Sequence, residues 1–281
     1  MNKFLMTTAA LLSGFAIFLA TRGQTFSRVD AEGTTLRMLM AGSGNPTVVF
    51  EAGAGGPLEV WVRIQPAVSR FARTISYDRA GNGLSKKGAT PRDGRHVASE
   101  LHAALQNAQV PPPYLLVGHS LGGPYIRVFA GLYPDEVAGL VLVDPTQEEL
   151  LAWAKARDPK PSDGHKLRPD DEVDCAPATF AQAQEHPVPT NLPVFLISGQ
   201  GPRVVPGFLA EELKKEVRED HETLYPAKLK FYREWLRQFP EGQLIITENS
   251  GHGIPFEEPE LVIATIRRAL EKAQARTDSK R

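Results

Sequence analysis

Residues 114–123 read Tyr114-Leu115-Leu116-Val117-Gly118-His119-Ser120-Leu121-Gly122-Gly123. A short apolar run of strand type breaks on a glycine-flanked serine, and a helix-compatible stretch, 124–132, follows at once. A serine on so sharp a strand-to-helix turn has its Oγ pushed out above the sheet edge. Gly118 and Gly122 leave room for neighbouring backbone at a point where a Cβ would collide. The helix that begins there aims its unpaired N–H groups and the positive end of its dipole at the same spot, which favours negative charge. In this context Ser120 is a candidate nucleophile.

The whole chain has 281 residues, a formal net charge of −1, 42% hydrophobic and 23% charged residues. That composition and length suit one α/β domain with an insertion. A near-neutral balance gives no electrostatic reason to expect nucleic acid as a partner. Cys175, the only cysteine, excludes an intrachain disulfide framework and a cysteine-based zinc cluster.

The N-terminus reads separately. Lys3 precedes an uncharged stretch, 4–21, that ends at Arg22. A positive start with an apolar middle predicts an export signal over 1–23, and the protein is expected to be periplasmic or secreted. The stretch is also borderline for spanning a bilayer, so an uncleaved anchor is the alternative, and the only expected route to a membrane.

Beyond the leader, strands are expected at 36–40, 47–50, 74–77, 114–117, 138–143, 193–198 and 243–247. Helical patterns fall at 60–71, from Asp93 onward, at 124–132, within 205–239 and at 257–273. Alternation of strands and helices predicts a doubly wound, mainly parallel sheet covered on both faces. The stretch 145–192 interrupts that rhythm and is expected to form a small cap over the strands' carboxyl ends, where such folds bind ligands.

A serine hydroxyl needs a base, usually histidine, oriented by a carboxylate. Of seven histidines, His252 is best placed, in the loop after the last strand and before the closing helix. His119 is expected to pack, His96 and His102 to lie on a helix, and His165, His186 and His221 to meet solvent. The turn after 193–198, Gly199-Gln200-Gly201-Pro202-Arg203, holds no acid. Asp144 ends the preceding strand, 24 residues past Ser120 and 108 before His252, and is the candidate acid; the alternative is that it only starts a turn with Pro145. The expected oxyanion donors are the backbone N–H of Leu121, next to the serine, and of Ala54, in the glycine-rich loop after 47–50.

Four stretches together resemble the α/β-hydrolase family, and the resemblance extends over 28–275. Val48-Val49-Phe50-Glu51-Ala52-Gly53 is similar to its strand and oxyanion loop, with Ala52 in place of the common histidine. Tyr77-Asp78-Arg79-Ala80-Gly81-Asn82-Gly83-Leu84-Ser85 is similar to its Asp-x-Arg-Gly-x-Gly-x-Ser turn, with Ala80 replacing a glycine. Gly118–Gly122 matches the nucleophile elbow, and Ser250-Gly251-His252 the histidine loop. The resemblance places this chain among members whose acid follows the strand after the nucleophile, which supports Asp144. Asp78 and Arg79 are expected to form a structural ion pair. The acidic run Asp170-Asp171-Glu172-Val173-Asp174-Cys175 lacks the glycine and spaced oxygen ligands of a calcium loop and is expected to be solvated cap surface. The charged stretch Glu211 to Glu222 reads as a solvated helix face.

The expected activity is a serine hydrolase cleaving a carboxylic ester of a small acyl substrate through an acyl-enzyme, with no cofactor or metal. A serine at the elbow argues against the aspartate-based dehalogenase and epoxide hydrolase branches. A peptidase, amidase or lactonase uses the same parts, and a non-catalytic hydrolase-like binding protein is the alternative of another class.

Overall fold

The computed structural model describes residues 23–157, 168–201, 215 and 219–278. Residues 1–22 of the expected leader, His165, Glu211 and parts of the expected cap and late helical stretch lie outside the described residues.

Eight strands form one sheet in the order β1-β2-β4-β3-β5-β6-β7-β8. β1 (Gln24–Ala31) and β2 (Thr34–Ala41) make an antiparallel hairpin at one edge, and β2 pairs antiparallel with β4 (Thr74–Tyr77). From there β3 (Thr47–Glu51), β5 (Tyr114–His119), β6 (Val137–Val143), β7 (Val194–Gly199) and β8 (Gln243–Thr247) all run parallel to β4. Their carboxyl ends therefore share one edge of the sheet.

Successive strand residues point to opposite faces, and the apolar runs divide accordingly. Val49, Leu116, Leu140, Leu142 and Leu196 pack into one core with α2 (Gly94–Asn107), α3 (Gly122–Leu132) and α6 (Tyr225–Leu236). Val48, Phe50, Leu115, Val117, Val141 and Ile197 pack into the other with α1 (Gln65–Val68), α7 (Ile254–Glu257) and α8 (Pro259–Asp278). Each fully buried Leu, Ile or Phe contributes about 1.5–3 kcal/mol. Asp93 begins α2 as expected, its side chain accepting from the His96 N–H.

Two expectations change. The hairpin strand β1 is additional to the expected strands, because most of its residues are exposed or half-buried and carry no apolar alternation. The helix expected over 60–71 breaks into a 3-10 turn, Leu58–Trp61, and the single turn α1. Pro66 has no N–H to donate to the preceding turn, so a continuous helix cannot run through it.

Between β6 and β7 lie α4 (Glu148–Arg157) and α5 (Ala176–Glu185). α5 lies against α2 and α3, where Ala176 and Phe180 join Val97, Leu121 and Tyr125 in a small apolar cluster beneath the serine turn. No helix among the described residues is long and apolar enough to cross a membrane.

Candidate active site

The turn after β5 forms because its backbone is packed too closely for side chains. A Cβ on Gly118 would meet the Gly122 carbonyl oxygen at 2.6 Å, and one on Gly122 would meet the Glu51 and Ala52 carbonyl oxygens at 2.4 and 2.7 Å. Ser120 sits at φ +53°, a left-handed conformation that costs a non-glycine residue about 1–2 kcal/mol. The turn is fixed by neighbours: Ser120 N–H donates to the Val143 carbonyl, and the Ser120 carbonyl accepts from Gly123 and Thr146 N–H. Leu121, buried, caps α3, so its N–H belongs to the first turn, where helix amides lack intrahelical acceptors.

Asp144 follows β6 at the same edge, also left-handed, at φ +42°. Its Oδ2 accepts from His252 Nδ1 at 2.8 Å across 108 residues of sequence, while its Oδ1 accepts from Gly199 N–H at 3.0 Å and from Lys228 Nζ at 2.8 Å. Burial alone would raise the Asp144 carboxyl; the His252 hydrogen bond and the Lys228 ammonium outweigh it and hold the group below its ordinary value. The His252 ring is 59% exposed while the Asp144 side chain is 5% exposed, so the histidine presents its far edge outward from a buried carboxylate. Among the described residues, neither the Ser120 hydroxyl nor His252 Nε2 has a hydrogen-bond partner.

His119 does more than pack. Its Nε2 donates to the His252 carbonyl at 2.8 Å, and the two rings lie 4.8 Å apart. Burial and the neighbouring His252 push His119 down to about 4, so at neutral pH it is an uncharged donor bracing the histidine loop. Glu257 and Glu258 brace the same loop from the other side, accepting from Gly251 N–H and Ser250 Oγ.

The glycine-rich loop after β3 rests on buried charge. Arg79 donates to the Ala52 and Gly53 carbonyls and pairs with Glu51 on one side and Glu172 on the other. Glu172 also accepts from Gly55 N–H and Asn82 Nδ2. Arg79 keeps Glu172 below the ordinary carboxylate range against its burial, whereas burial leaves Glu51 raised despite the same guanidinium and the Tyr77 hydroxyl. Two expectations are corrected by these contacts. Glu172 is buried, not solvated, because Arg79 gives its charge a partner. Asp78 and Arg79 do not pair with each other: Asp78 pairs with Arg37 and accepts from Leu58 and Leu84 N–H.

Gly53 approaches the serine closely, since a Cβ there would stand 3.1 Å from Ser120 Cβ. Gly55 N–H is taken by Glu172 and Gly56 N–H by the Gly53 carbonyl, whereas no partner for the Ala54 amide occurs among the described residues. The structure thus brings Ser120, Leu121, Asp144, His252 and the Ala54 loop to one strand-end edge. Lys228 was missed by the sequence reading, although a signal existed: Lys228, Tyr232 and Leu236 recur at a spacing of four and are the buried positions of α6.

A family model described as alpha/beta hydrolase fold matches residues 46–166. The chain is 36% identical over 112 residues to the uncharacterized protein YqjL of Bacillus subtilis, covering 40% of this chain and 44% of that protein. It is 28% identical over 159 residues to the (lyso)-N-acylphosphatidylethanolamine lipase of Mus musculus, covering 55% of this chain and 42% of the relative. The matched region therefore spans less than half the length of these curated relatives. Among solved structures, a putative lipase from Acinetobacter baumannii superposes with a TM-score of 0.60 at 18% identity, covering 90% of this chain and 93% of the other.

Proposed function

We propose that this chain, whose fold is that of the α/β hydrolases, is a serine hydrolase that cleaves a carboxylic ester through an acyl-enzyme. Hydrolase activity in general is supported by the fold and by a lipase among the curated relatives. The reading as a serine esterase is carried by one observation: a buried Asp144 carboxylate holds His252 Nδ1 at 2.8 Å beside a serine fixed in a strained turn.

In this mechanism His252 Nε2 removes the hydroxyl proton as Ser120 Oγ attacks the ester carbonyl carbon. Asp144 accepts from Nδ1–H, fixes the tautomer and stabilises the imidazolium that forms. Leu121 and Ala54 N–H groups stabilise the tetrahedral oxyanion, an interaction strongest in the transition state. Collapse breaks the bond to the alkoxy oxygen, which takes the proton from His252 and leaves as alcohol. Water then attacks the acyl-enzyme, giving its proton to His252, and the second collapse returns that proton to Ser120 and releases the carboxylic acid.

An ester is favoured over an aminoacyl amide. A peptidase of this fold would use a carboxylate from the insertion to bind a substrate amino group, and Glu172, the buried carboxylate among the insertion's described residues, is already occupied by Arg79, Asn82 and Gly55. The test is a panel of acyl esters of rising chain length beside aminoacyl amides. Ester turnover that tracks chain length supports the reading; turnover confined to amides, or absent throughout, refutes it.

A further inference from the structure

Lys228 is a charged residue where a helix normally places an apolar one. It lies on the inner face of α6 and is only 6% exposed. Its ammonium donates to Asp144 Oδ1 at 2.8 Å and to the Gly199 carbonyl, closing a ring that ties α6 to the ends of β6 and β7. Its cation also stands 5.0 Å from the Tyr225 ring centroid. With Gly199 N–H on the same oxygen, Oδ1 is fully engaged and only Oδ2 is left for His252. Rotation of the carboxylate away from the imidazole would break two hydrogen bonds and strand a buried ammonium.

The charge has a consequence beyond orientation. Among the described residues, the titratable groups facing Asp144 are Lys228 and Tyr232 from α6, His252 from the histidine loop and His119 from β5. Tyr232 donates to the Pro145 carbonyl and stays neutral, and His119 is uncharged at neutral pH. Among the described residues, Lys228 is therefore the cation that offsets Asp144. A carboxylate alone favours the imidazolium, whereas a cation on its far oxygen disfavours it. Resting on the serine hydrolase reading, we propose that Lys228 is a positioning residue that fixes the Asp144 carboxylate toward His252 and offsets that carboxylate's charge beside the histidine base.

The experiment is the pH profile of kcat/KM on an activated ester for wild type, Lys228→Gln and Lys228→Met. Both variants lose the charge, and Gln keeps a donor. The acid limb should move upward by about one pH unit in both, the scale of one unit charge acting across a few ångströms of protein, while kcat falls further in Lys228→Met. A purely structural lysine would lower the profile without moving its limb, and a limb unchanged in folded, active Lys228→Gln overturns the inference. If neither variant folds, the wild type carries the test: the 15Nζ resonance of Lys228 should titrate with the same midpoint as the acid limb, and a resonance indifferent to it refutes the coupling. A wild type with no serine-dependent activity would instead overturn the underlying reading of the site.

Discussion

The carboxylate of Glu172 meets both Nε and Nη2 of Arg79 at 2.7 Å, across 93 positions of sequence. This fork joins the insertion between β6 and β7 to the loop after β3, because the same guanidinium holds the Ala52 and Gly53 carbonyls. Arg79→Met would leave Glu51 and Glu172 buried without their cation and should lower the unfolding free energy by about 3–5 kcal/mol. Glu172→Gln leaves Arg79 paired with Glu51 and should cost about 1–2 kcal/mol. Urea unfolding of both variants checks the order; equal losses would contradict the shared-cation arrangement.

Gly122→Ala places a methyl group 2.4 Å from the Glu51 carbonyl oxygen, and that backbone belongs to β3 and cannot yield. The substitution should destabilise the fold by about 3 kcal/mol or more. Gly251→Ala, whose new Cβ would find its nearest neighbour at 3.9 Å, should stay within about 1 kcal/mol of wild type. Thermal melts of the pair separate close approach at the serine turn from a general intolerance of the site loops.

His119 gives stability a pH dependence of defined sign. The unfolded chain takes up a proton near the ordinary histidine value, about 6.5, while the folded chain refuses it until about 4. Between these values the unfolded state binds more protons, so stability is full above the upper value and falls as pH drops toward the lower one. The loss attributable to this group is at most about 3 kcal/mol. His119→Gln, which keeps a donor, should flatten that part of the curve in chemical denaturation measured from pH 7 to 4. An unchanged slope would show that His119 is not the group responsible.

Asp144→Asn keeps the shape of the side chain but removes its charge and allows His252 the wrong tautomer. We expect kcat to fall by about 10³- to 10⁴-fold with little change in KM. Near-normal turnover on the ester that the wild type cleaves would exclude Asp144 as the orienting acid.

Much of this arrangement was legible in the sequence because local rules and tertiary demands agree there. The run from Tyr114 to Val117 needs only burial on both faces to be a strand, and Gly118 and Gly122 are required by backbone contacts within a few ångströms. His252 and Asp144 follow from position, since both succeed strands that end at the same edge. Where long-range partners decide, sequence alone gave the wrong environment. Glu172 sits in an acidic run and looks solvated until Arg79 arrives from a turn far earlier in the chain. Lys228 looks like one more charge on a polar helix; only the docking of α6 against Asp144 shows why a lysine is buried there. β1 has too little apolar patterning to announce itself, and its register comes from pairing with β2.

The central claim is that Ser120 is a nucleophile activated by His252. Intact-protein mass spectrometry after exposure to a fluorophosphonate tests it most directly, with the adduct mapped by peptide analysis. The wild type should form one adduct, on Ser120, absent from Ser120→Ala and formed at least about a hundredfold more slowly in His252→Ala, the scale of losing a general base. No adduct on the folded wild type, or an adduct at another residue, would contradict it.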